Sequence, residues 1–243
     1  MTPCANLFDM SAYEAVLFDW SGTLVHDPSP ADRLERALQL VNRDLAPEKV
    51  EAMLLHLDES ARLPEVEEAL RYEDTSAQRH RAANLLWFER AGLDAELADA
   101  LYHFDDDPDH RPLYPDVAET LAALEAQNVK IAVVSDIHLD IRRLLESQGV
   151  GGWIDAYVLS FEHGCQKPDP RMFLIALDLL AVRAEQTLMV GDRCSHDGAA
   201  VDVGIAAFIL PPTPSVPTTR GLDIVTRMVG GRHARADRDG AGQ

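Results

Sequence analysis

Asp19 is the first residue of this sequence that is placed to do chemistry, because it directly follows the short apolar segment Ala15–Phe18. Ligands of open parallel sheets bind beyond the carboxyl ends of the strands, so a carboxylate at such an end can act as a nucleophile or a metal ligand. Gly22 permits the sharp turn that leaves the strand, and Thr23 places a hydroxyl beside the carboxylate. The pattern also suits a simple cap, so its interpretation depends on the rest of the chain.

Other polar and charged residues occupy the same kind of position, at or just after the end of a predicted strand. They are Ser135, Lys167, Asp192 and Asp197. Because the carboxyl ends of parallel strands meet at one sheet edge, we expect them to share a crevice with Asp19. Three carboxylates in that crevice need a cation among them, and several oxygen ligands suit Mg²⁺. A carboxylate nucleophile, Mg²⁺, an ammonium group and a hydroxyl donor are typical of phosphoryl transfer through an aspartyl-phosphate.

The elements that must position these residues differ between two parts of the chain. From Pro28 to about Arg111, apolar residues recur at helical spacing, which predicts a small helical bundle. Beyond Leu113, predicted strands alternate with helices. The predicted strands are 130–134, 157–160, 187–190 and 206–210, and the predicted helices include 139–148 and one that begins at Pro170. This alternation predicts an α/β fold with a Rossmann-like parallel sheet, helices on both faces and right-handed crossovers.

Several residues are expected to begin, end or separate helices. Asp116 is predicted to cap the helix that follows it, and Asn128 to close that helix in a left-handed conformation. Pro47, Pro64 and the acidic run Asp105–Asp107 separate helices in the first part of the chain. We interpret the acidic run as a solvated loop, and metal binding or a hinge role remain open alternatives.

These patterns predict a domain organisation. The Rossmann-like core comprises residues 1–27 and 113–231, and a helical insertion, residues 28–112, follows the first strand. Residues 232–243 are polar and Gly-rich, and we expect a disordered tail there.

Composition limits the classes of partner. A formal net charge of -19 over 243 residues argues against a nucleic-acid or anionic-membrane partner, since both require neutralising Lys and Arg. The lysines are Lys49, Lys130 and Lys167, so an anionic substrate must be attracted locally. No segment approaches the length of a membrane span, and we expect no export signal at the N-terminus. Three cysteines without metal-ligand spacing fit a reduced, cytoplasmic protein, and the oligomeric state is left open.

Taken together, the motifs resemble those of the haloacid dehalogenase superfamily of hydrolases. That superfamily has a strand-end Asp-x-Asp-Gly-Thr, a strand-end Ser or Thr, a Lys commonly followed by Pro, and a Gly-Asp followed by a second acid. The corresponding stretches here are Asp19-Trp-Ser-Gly-Thr23, Ser135, Lys167-Pro168-Asp169-Pro170, and Gly191-Asp192 with Asp197. The motifs occur in family order, and Tyr114-Pro115-Asp116-Val117 matches the usual return from an inserted cap to the core.

The resemblance implies a Rossmann-like core and a helical cap that closes over a small phosphorylated metabolite. It implies that Asp19 is the nucleophile and that Ser135 and Lys167 hold the transferring phosphoryl group. The implied Mg²⁺ ligands are Asp19, the backbone carbonyl of Ser21, Asp192 and, directly or in the outer shell, Asp197.

Ser21 departs from the family pattern, because most phosphatases of the superfamily have an Asp there that protonates the leaving group. A hydroxyl cannot supply that proton efficiently, and such help is worth about 10²–10⁴-fold. Three alternatives follow from this. The leaving group departs without protonation, another residue protonates it, or turnover is slow. Two alternative functions stay open: a catalytically impaired phosphate-ligand binding protein, and a phosphonatase-like C–P hydrolase, which would need a cap lysine such as Lys49. Asp192 and Asp197 argue against dehalogenation.

His26 is our candidate for the missing acid. It stands on the predicted segment between core and cap, where the family usually has an Asp, and its ordinary pKa of about 6.5 suits proton transfer near neutrality. The alternative is that His26 only braces the hinge.

Overall fold

The computed structural model describes residues 13–106, 110–212 and 218–230. The predicted tail at 232–243 and residues 1–12, on which the export-signal expectation depends, lie outside the described residues. Asp107 lies outside them too, so the solvated-loop interpretation of the acidic run stays a prediction. Within the described part of the chain, no helix combines the length and apolar character needed to cross a bilayer.

Five parallel strands form the central sheet. They are β1 Ala15–Phe18, β2 Lys130–Ser135, β3 Ala156–Leu159, β4 Thr187–Gly191 and β5 Ala206–Ile209. Their spatial order is β3-β2-β1-β4-β5, so β1 is central and Asp19 follows the middle strand. In register, Phe18 lies opposite Val133 of β2 and Val190 of β4. The predicted Rossmann-like α/β fold is confirmed, and each predicted strand is present to within one residue.

Helices cover both faces of this sheet. They are α6 Val117–Glu125, α7 Arg142–Ser147, α8 Ser160–His163, α9 Pro170–Leu180 and a last segment at 223–230. Alternate residues of β1 serve opposite faces, as expected for a strand buried on both sides. Val16 and Phe18 belong to the apolar cluster that includes Leu121 of α6, whereas Leu17 belongs to the cluster that includes Phe173 of α9.

Among the described residues, five α-helices lie between β1 and α6. They are α1 Pro30–Leu40, α2 Pro47–Ala61, α3 Pro64–Leu70, α4 Ala77–Arg90 and α5 Ala95–Tyr102. The helices α1, α2 and α3 each begin with a proline, namely Pro30, Pro47 and Pro64. Proline is favourable there, because the N–H that it lacks would have no partner within the helix. These helices bury an apolar cluster of their own, which includes Leu34, Leu57, Phe88 and Leu97. The predicted domain boundaries remain a prediction.

The chain leaves and re-enters the core along a short two-stranded connection, residues 24–26 and 112–114, which we call the connecting ribbon. The N–H of His26 donates to the carbonyl of Pro112 at 2.9 Å, and that of Tyr114 donates to the carbonyl of Leu24 at 3.0 Å. Val25 and Leu113 form an antiparallel bridge between these hydrogen bonds. The two ends of the helical insertion are therefore fastened to each other.

Two local expectations were wrong, and one held. The helix predicted at 139–148 begins only at Arg142, because the Asp140 carboxylate accepts the N–H of Arg142 at 3.0 Å and forms a turn before it. Asp116 does not cap α6 with its side chain. Its carboxylate instead accepts the three backbone N–H groups of residues 220–222 at 2.8–2.9 Å. Asn128 does close α6 in the left-handed region, with φ of 57°.

Candidate active site

A buried ion-paired group lies at the carboxyl end of β1. Lys167 is fully buried, and its ammonium donates to Asp19 Oδ1 at 2.7 Å and to Asp197 Oδ1 at 2.6 Å. Asp19 is 2% exposed and Asp197 is fully buried. The turns that follow three separate strands therefore bring together three of the residues predicted from the sequence.

Burial and ion pairing shift the pKa values of these three groups in opposite directions. Burial raises the pKa of Asp19 to about 7, with Lys167 opposing the shift and Asp197 adding to it. Burial alone would lower the pKa of Lys167 and raise that of Asp197. Ion pairing outweighs burial at both, so the pKa of Lys167 lies above its ordinary value and that of Asp197 below. The ammonium and the Asp197 carboxylate are thus both charged near neutral pH.

Three carboxylates converge beside this lysine. Ligand oxygens of Asp19, Asp192 and Asp197 all lie within 4.8 Å of one another. The Arg193 N–H donates to Asp197 Oδ2 at 2.9 Å and holds that carboxylate in place. Gly191 makes the approach possible, because a Cβ there would lie 2.2 Å from the Asp197 carboxyl carbon. Hard oxygen donors in this number fit Mg²⁺, and a dication would offset the excess negative charge.

The end of β2 supplies a hydrogen-bond donor, and the residue that follows it supplies a support. Ser135 is buried, and its hydroxyl has no hydrogen-bond partner among the described residues, which leaves it available to a ligand. The neighbouring carboxylate of Asp136 accepts the backbone N–H of Lys167 at 2.7 Å through Oδ1 and a guanidinium N–H of Arg193 at 3.1 Å through Oδ2. Asp136 thus fixes the loop that carries Lys167.

The Ser21 hydroxyl accepts a hydrogen bond from Arg111, which lies at the C-terminal end of the helical insertion. Arg111 is 4% exposed, and its Nη1 donates to Ser21 Oγ at 2.8 Å and to Asp27 Oδ1 at 3.2 Å. Its guanidinium also lies over the Trp20 ring, 5.1 Å from the centroid. The position that usually carries the acid therefore carries a hydroxyl that accepts a hydrogen bond from arginine.

A cavity of about 530 Å³ lies between these residues and the helical insertion. Core residues such as Ser21, Asp192 and His138 line it together with Arg111 and, from the insertion, Trp87. His26 is not among the lining residues described. Its ring packs edge-on against Tyr114, with centroids 6.0 Å apart. The proposed proton transfer by His26 stays a prediction, and the described contacts favour the bracing role.

A sequence model described as haloacid dehalogenase-like hydrolase matches residues 13–204, which contain every residue of this site. The chain belongs to the haloacid dehalogenase-like hydrolase family. The resemblance seen in the motifs is therefore confirmed.

Relatives within this family include phosphatases. The chain is 30% identical to a phosphoglycolate phosphatase of Rhodospirillum rubrum over 208 residues, covering 81% of this chain and 79% of the relative. It is 34% identical to a ribulose-1,5-bisphosphate 5-phosphatase of Halopiger xanaduensis over 113 residues, covering 46% of this chain and 47% of the relative. The solved structure of a HAD phosphatase from Thermococcus onnurineus matches with a TM-score of 0.59 and 21% identity, covering 90% of this chain and 98% of that one, and supports the fold.

The structure also gives the positions of Lys49 and Trp20 in this haloacid dehalogenase-like hydrolase. Lys49 is exposed on α2, which fits a solvated helix lysine. Trp20 is buried in the core. Sequence reasoning missed the roles of Arg111 and Asp136. Asp136 carried a weak signal, because it directly follows Ser135 at a strand end, whereas the position of Arg111 beside Ser21 carried none.

Proposed function

We propose that the chain is a Mg²⁺-dependent phosphatase that acts on a small phosphorylated metabolite with Asp19 as the nucleophile. The observation that carries the proposal is the buried contact of Lys167 with Asp19 and Asp197 at the crevice end of the central strand. Phosphatases among the relatives give independent support for the reaction class.

Each residue then has a role that follows from its contacts. Lys167 occupies Oδ1 of Asp19, so we assign Oδ2 as the oxygen that attacks phosphorus. As the new O–P bond forms, the bond to the leaving oxygen breaks, and water later releases phosphate from Asp19. The Ser135 hydroxyl and the Lys167 ammonium donate to the oxygens of the transferring group. Asp136 positions Lys167 through its backbone N–H.

The carboxylates of Asp19, Asp192 and Asp197, together with the Ser21 carbonyl, would hold Mg²⁺. The ion, when bound, supplies Lewis-acid stabilisation of negative charge on the phosphoryl oxygens. The chain's own contribution is to hold the carboxylates close together, which requires the absence of a side chain at Gly191.

The contact between Ser21 and Arg111 favours substrates whose leaving group departs without protonation. A serine hydroxyl beside a guanidinium is a poor proton donor to an alkoxide, so acyl and aryl phosphates should turn over faster than alkyl phosphates. The same contact favours the second candidate function, a catalytically impaired protein that binds a phosphate ligand. The phosphonatase-like alternative loses support, because Lys49 is exposed and is not among the residues described as lining the cavity.

Turnover of acetyl phosphate, p-nitrophenyl phosphate and phosphoglycolate, with Mg²⁺ and with chelator, tests the proposal. We expect Mg²⁺-dependent release of phosphate that Asp19→Asn abolishes while the variant keeps its fold by circular dichroism. Lys49→Met is the matched control and should keep wild-type rates. Absence of turnover on all three substrates, together with phosphate binding in the millimolar range or tighter, would favour the binding protein.

A further inference from the structure

A second group of potential metal ligands lies where the helical insertion meets the core. Glu73 and Asp74 belong to the short helical turn between α3 and α4, and His80 lies in the first turn of α4. His138 comes from the loop after β2, just beyond Ser135, the last residue of that strand. We call these four residues the interface cluster, and the proposed mechanism uses none of them.

Three separations between side chains of the interface cluster are longer than hydrogen bonds. His80 Nε2 lies 3.7 Å from Glu73 Oε2 and 4.0 Å from Asp74 Oδ1, and His138 Nδ1 lies 3.8 Å from Asp74 Oδ1. Hydrogen bonds between such atoms are about 2.7–3.2 Å long. Two ligands of one tetrahedral Zn²⁺, each about 2.0–2.2 Å from the ion, lie roughly 3.3–3.6 Å apart. Small side-chain adjustments would therefore bring these atoms to coordination distance.

We propose that Asp74, His80 and His138 bind a Zn²⁺-type dication that joins the helical insertion to the core, with Glu73, whose Oε2 lies 3.7 Å from His80 Nε2, as the fourth ligand. Ligand atoms of Asp74, His80 and His138 all lie within 4.8 Å of one another. Two imidazoles with carboxylates suit Zn²⁺ and neighbouring transition metals, whereas Mg²⁺ prefers sites built from oxygen alone. The interface cluster thus differs in chemistry from the all-carboxylate set of Asp19, Asp192 and Asp197.

Hydrogen bonds from outside the cluster hold its members in place, as is usual around metal ligands. Asn84 Nδ2 donates to Glu73 Oε2 at 2.6 Å and to the carbonyl of His80 at 2.9 Å. The buried Ser160 hydroxyl donates to the carbonyl of Asp74 at 2.6 Å and accepts the N–H of Ile137 at 2.8 Å. One core hydroxyl therefore fixes the turn that carries Asp74 against the loop that carries His138.

Charge within the cluster also favours a cation. Glu73 and Asp74 are adjacent and largely buried carboxylates, with 24% and 22% of their side chains exposed. His138 is 7% exposed. When both are ionised, these adjacent carboxylates repel each other, and a dication bound beside them would offset that repulsion.

The arrangement of the rings predicts a specific rearrangement. The His80 and His138 rings are stacked, with centroids 3.4 Å apart and planes 4° from parallel. Lone pairs of stacked parallel rings do not converge on one point, so at least one ring must rotate for both nitrogens to bind one ion. His80 would bind through Nε2 and His138 through Nδ1.

Zn²⁺ binding to the chelator-stripped full chain, in excess Mg²⁺ to occupy the carboxylate set, tests this proposal. Calorimetry and elemental analysis should give one Zn²⁺ per chain. His80→Gln and His138→Gln should each weaken Zn²⁺ binding by more than the roughly 10–100-fold typical of outer-shell changes. His56→Gln, an exposed histidine of α2, is the matched control and should bind as wild type does. Asp192→Asn should also leave this Zn²⁺ stoichiometry unchanged.

Imidazole ¹⁵N NMR of the wild type locates the ligands without requiring a variant to fold. Zn²⁺ should shift the signals of His80 Nε2 and His138 Nδ1 and leave that of His56 unchanged. The proposal is overturned if the wild type binds no Zn²⁺ in excess Mg²⁺, if these signals do not move, or if both histidine variants bind like His56→Gln. None of these measurements depends on turnover, so the result is independent of the proposed phosphatase activity.

Discussion

Replacing Lys167 with Met removes the ammonium that separates Asp19 from Asp197 while keeping an unbranched side chain of similar length. Both carboxylates are almost completely buried and both contact Nζ directly, at 2.7 and 2.6 Å. Removing one partner of a buried ion pair typically costs about 3–5 kcal/mol, because the remaining charge has neither solvent nor partner. Solvent does not weaken this interaction by screening, because Lys167 is fully buried.

This cost converts into a measurable loss of thermal stability. For a chain of this size, 1 kcal/mol corresponds to roughly 2–4 °C in Tm, so Lys167→Met should lower Tm by about 6–20 °C in chelator. Lys49→Met removes an exposed lysine and should stay within about 0.5 kcal/mol of wild type. A dication can replace part of the lost positive charge, so Mg²⁺ should raise the Tm of Lys167→Met by more than it raises that of the wild type.

Differential scanning calorimetry with and without Mg²⁺ measures both effects. Asp19→Asn in the Lys167→Met background tests the assigned cause, since removal of one uncompensated carboxylate should recover part of the loss. A Tm for Lys167→Met within about 2 °C of wild type in chelator would refute the reasoning, because a loss of about 3 kcal/mol or more cannot give so small a shift.

Three further predictions concern other contacts. Hydrogen bonds from Arg43 lower the pKa of Asp94 from 3.8 to about 2, so the folded state favours the ionised carboxylate. The wild type should therefore have a higher Tm than Asp94→Asn above about pH 4, and this difference in Tm should vanish as the pH falls towards 2. The single variant Ser21→Asp should not accelerate alkyl phosphate hydrolysis, because Arg111 keeps the new carboxyl group ionised. The double variant Ser21→Asp/Arg111→Met should hydrolyse alkyl phosphates up to about 10²–10⁴-fold faster than Arg111→Met. Equal rates for these two variants would contradict this reasoning. Asp116→Ala removes the acceptor of three backbone N–H groups and should cost about 1–3 kcal/mol, with faster hydrogen exchange at 220–230 than in β1; unchanged exchange there would count against it.

Local sequence patterns were sufficient to predict the strands and the residues at their ends. Apolar segments followed by Asp19, Ser135 or Asp192 are read directly from neighbouring residues, and parallel topology then brings those residues together. The position of His26 on the connecting ribbon was predictable in the same way. The direction of its ring was not, since that depends on packing against Tyr114.

Contacts between residues far apart in the chain left no local signal. Arg111 and Ser21 are 90 positions apart, and Asp116 and Arg220 are 104 apart. Asp116 looked like a helix cap because an acidic residue before a helix usually is one. A more distant set of N–H groups took its carboxylate instead, and no helical periodicity encodes that choice.

The connecting ribbon has a consequence for how the chain can change. Its two strands are hydrogen-bonded side by side, so the helical insertion is connected to the core in the same way as the loop of a β-hairpin is connected to its strands. The entropy of closing a loop grows only as about (3/2)RT ln n, so each doubling of the insertion costs the core roughly 0.6 kcal/mol. Helices can therefore be added, lost or exchanged between residues 26 and 112 with little effect on β1 and on Asp19, which follows it. Recombination at this one junction would give the core a new set of side chains lining the cavity of about 530 Å³.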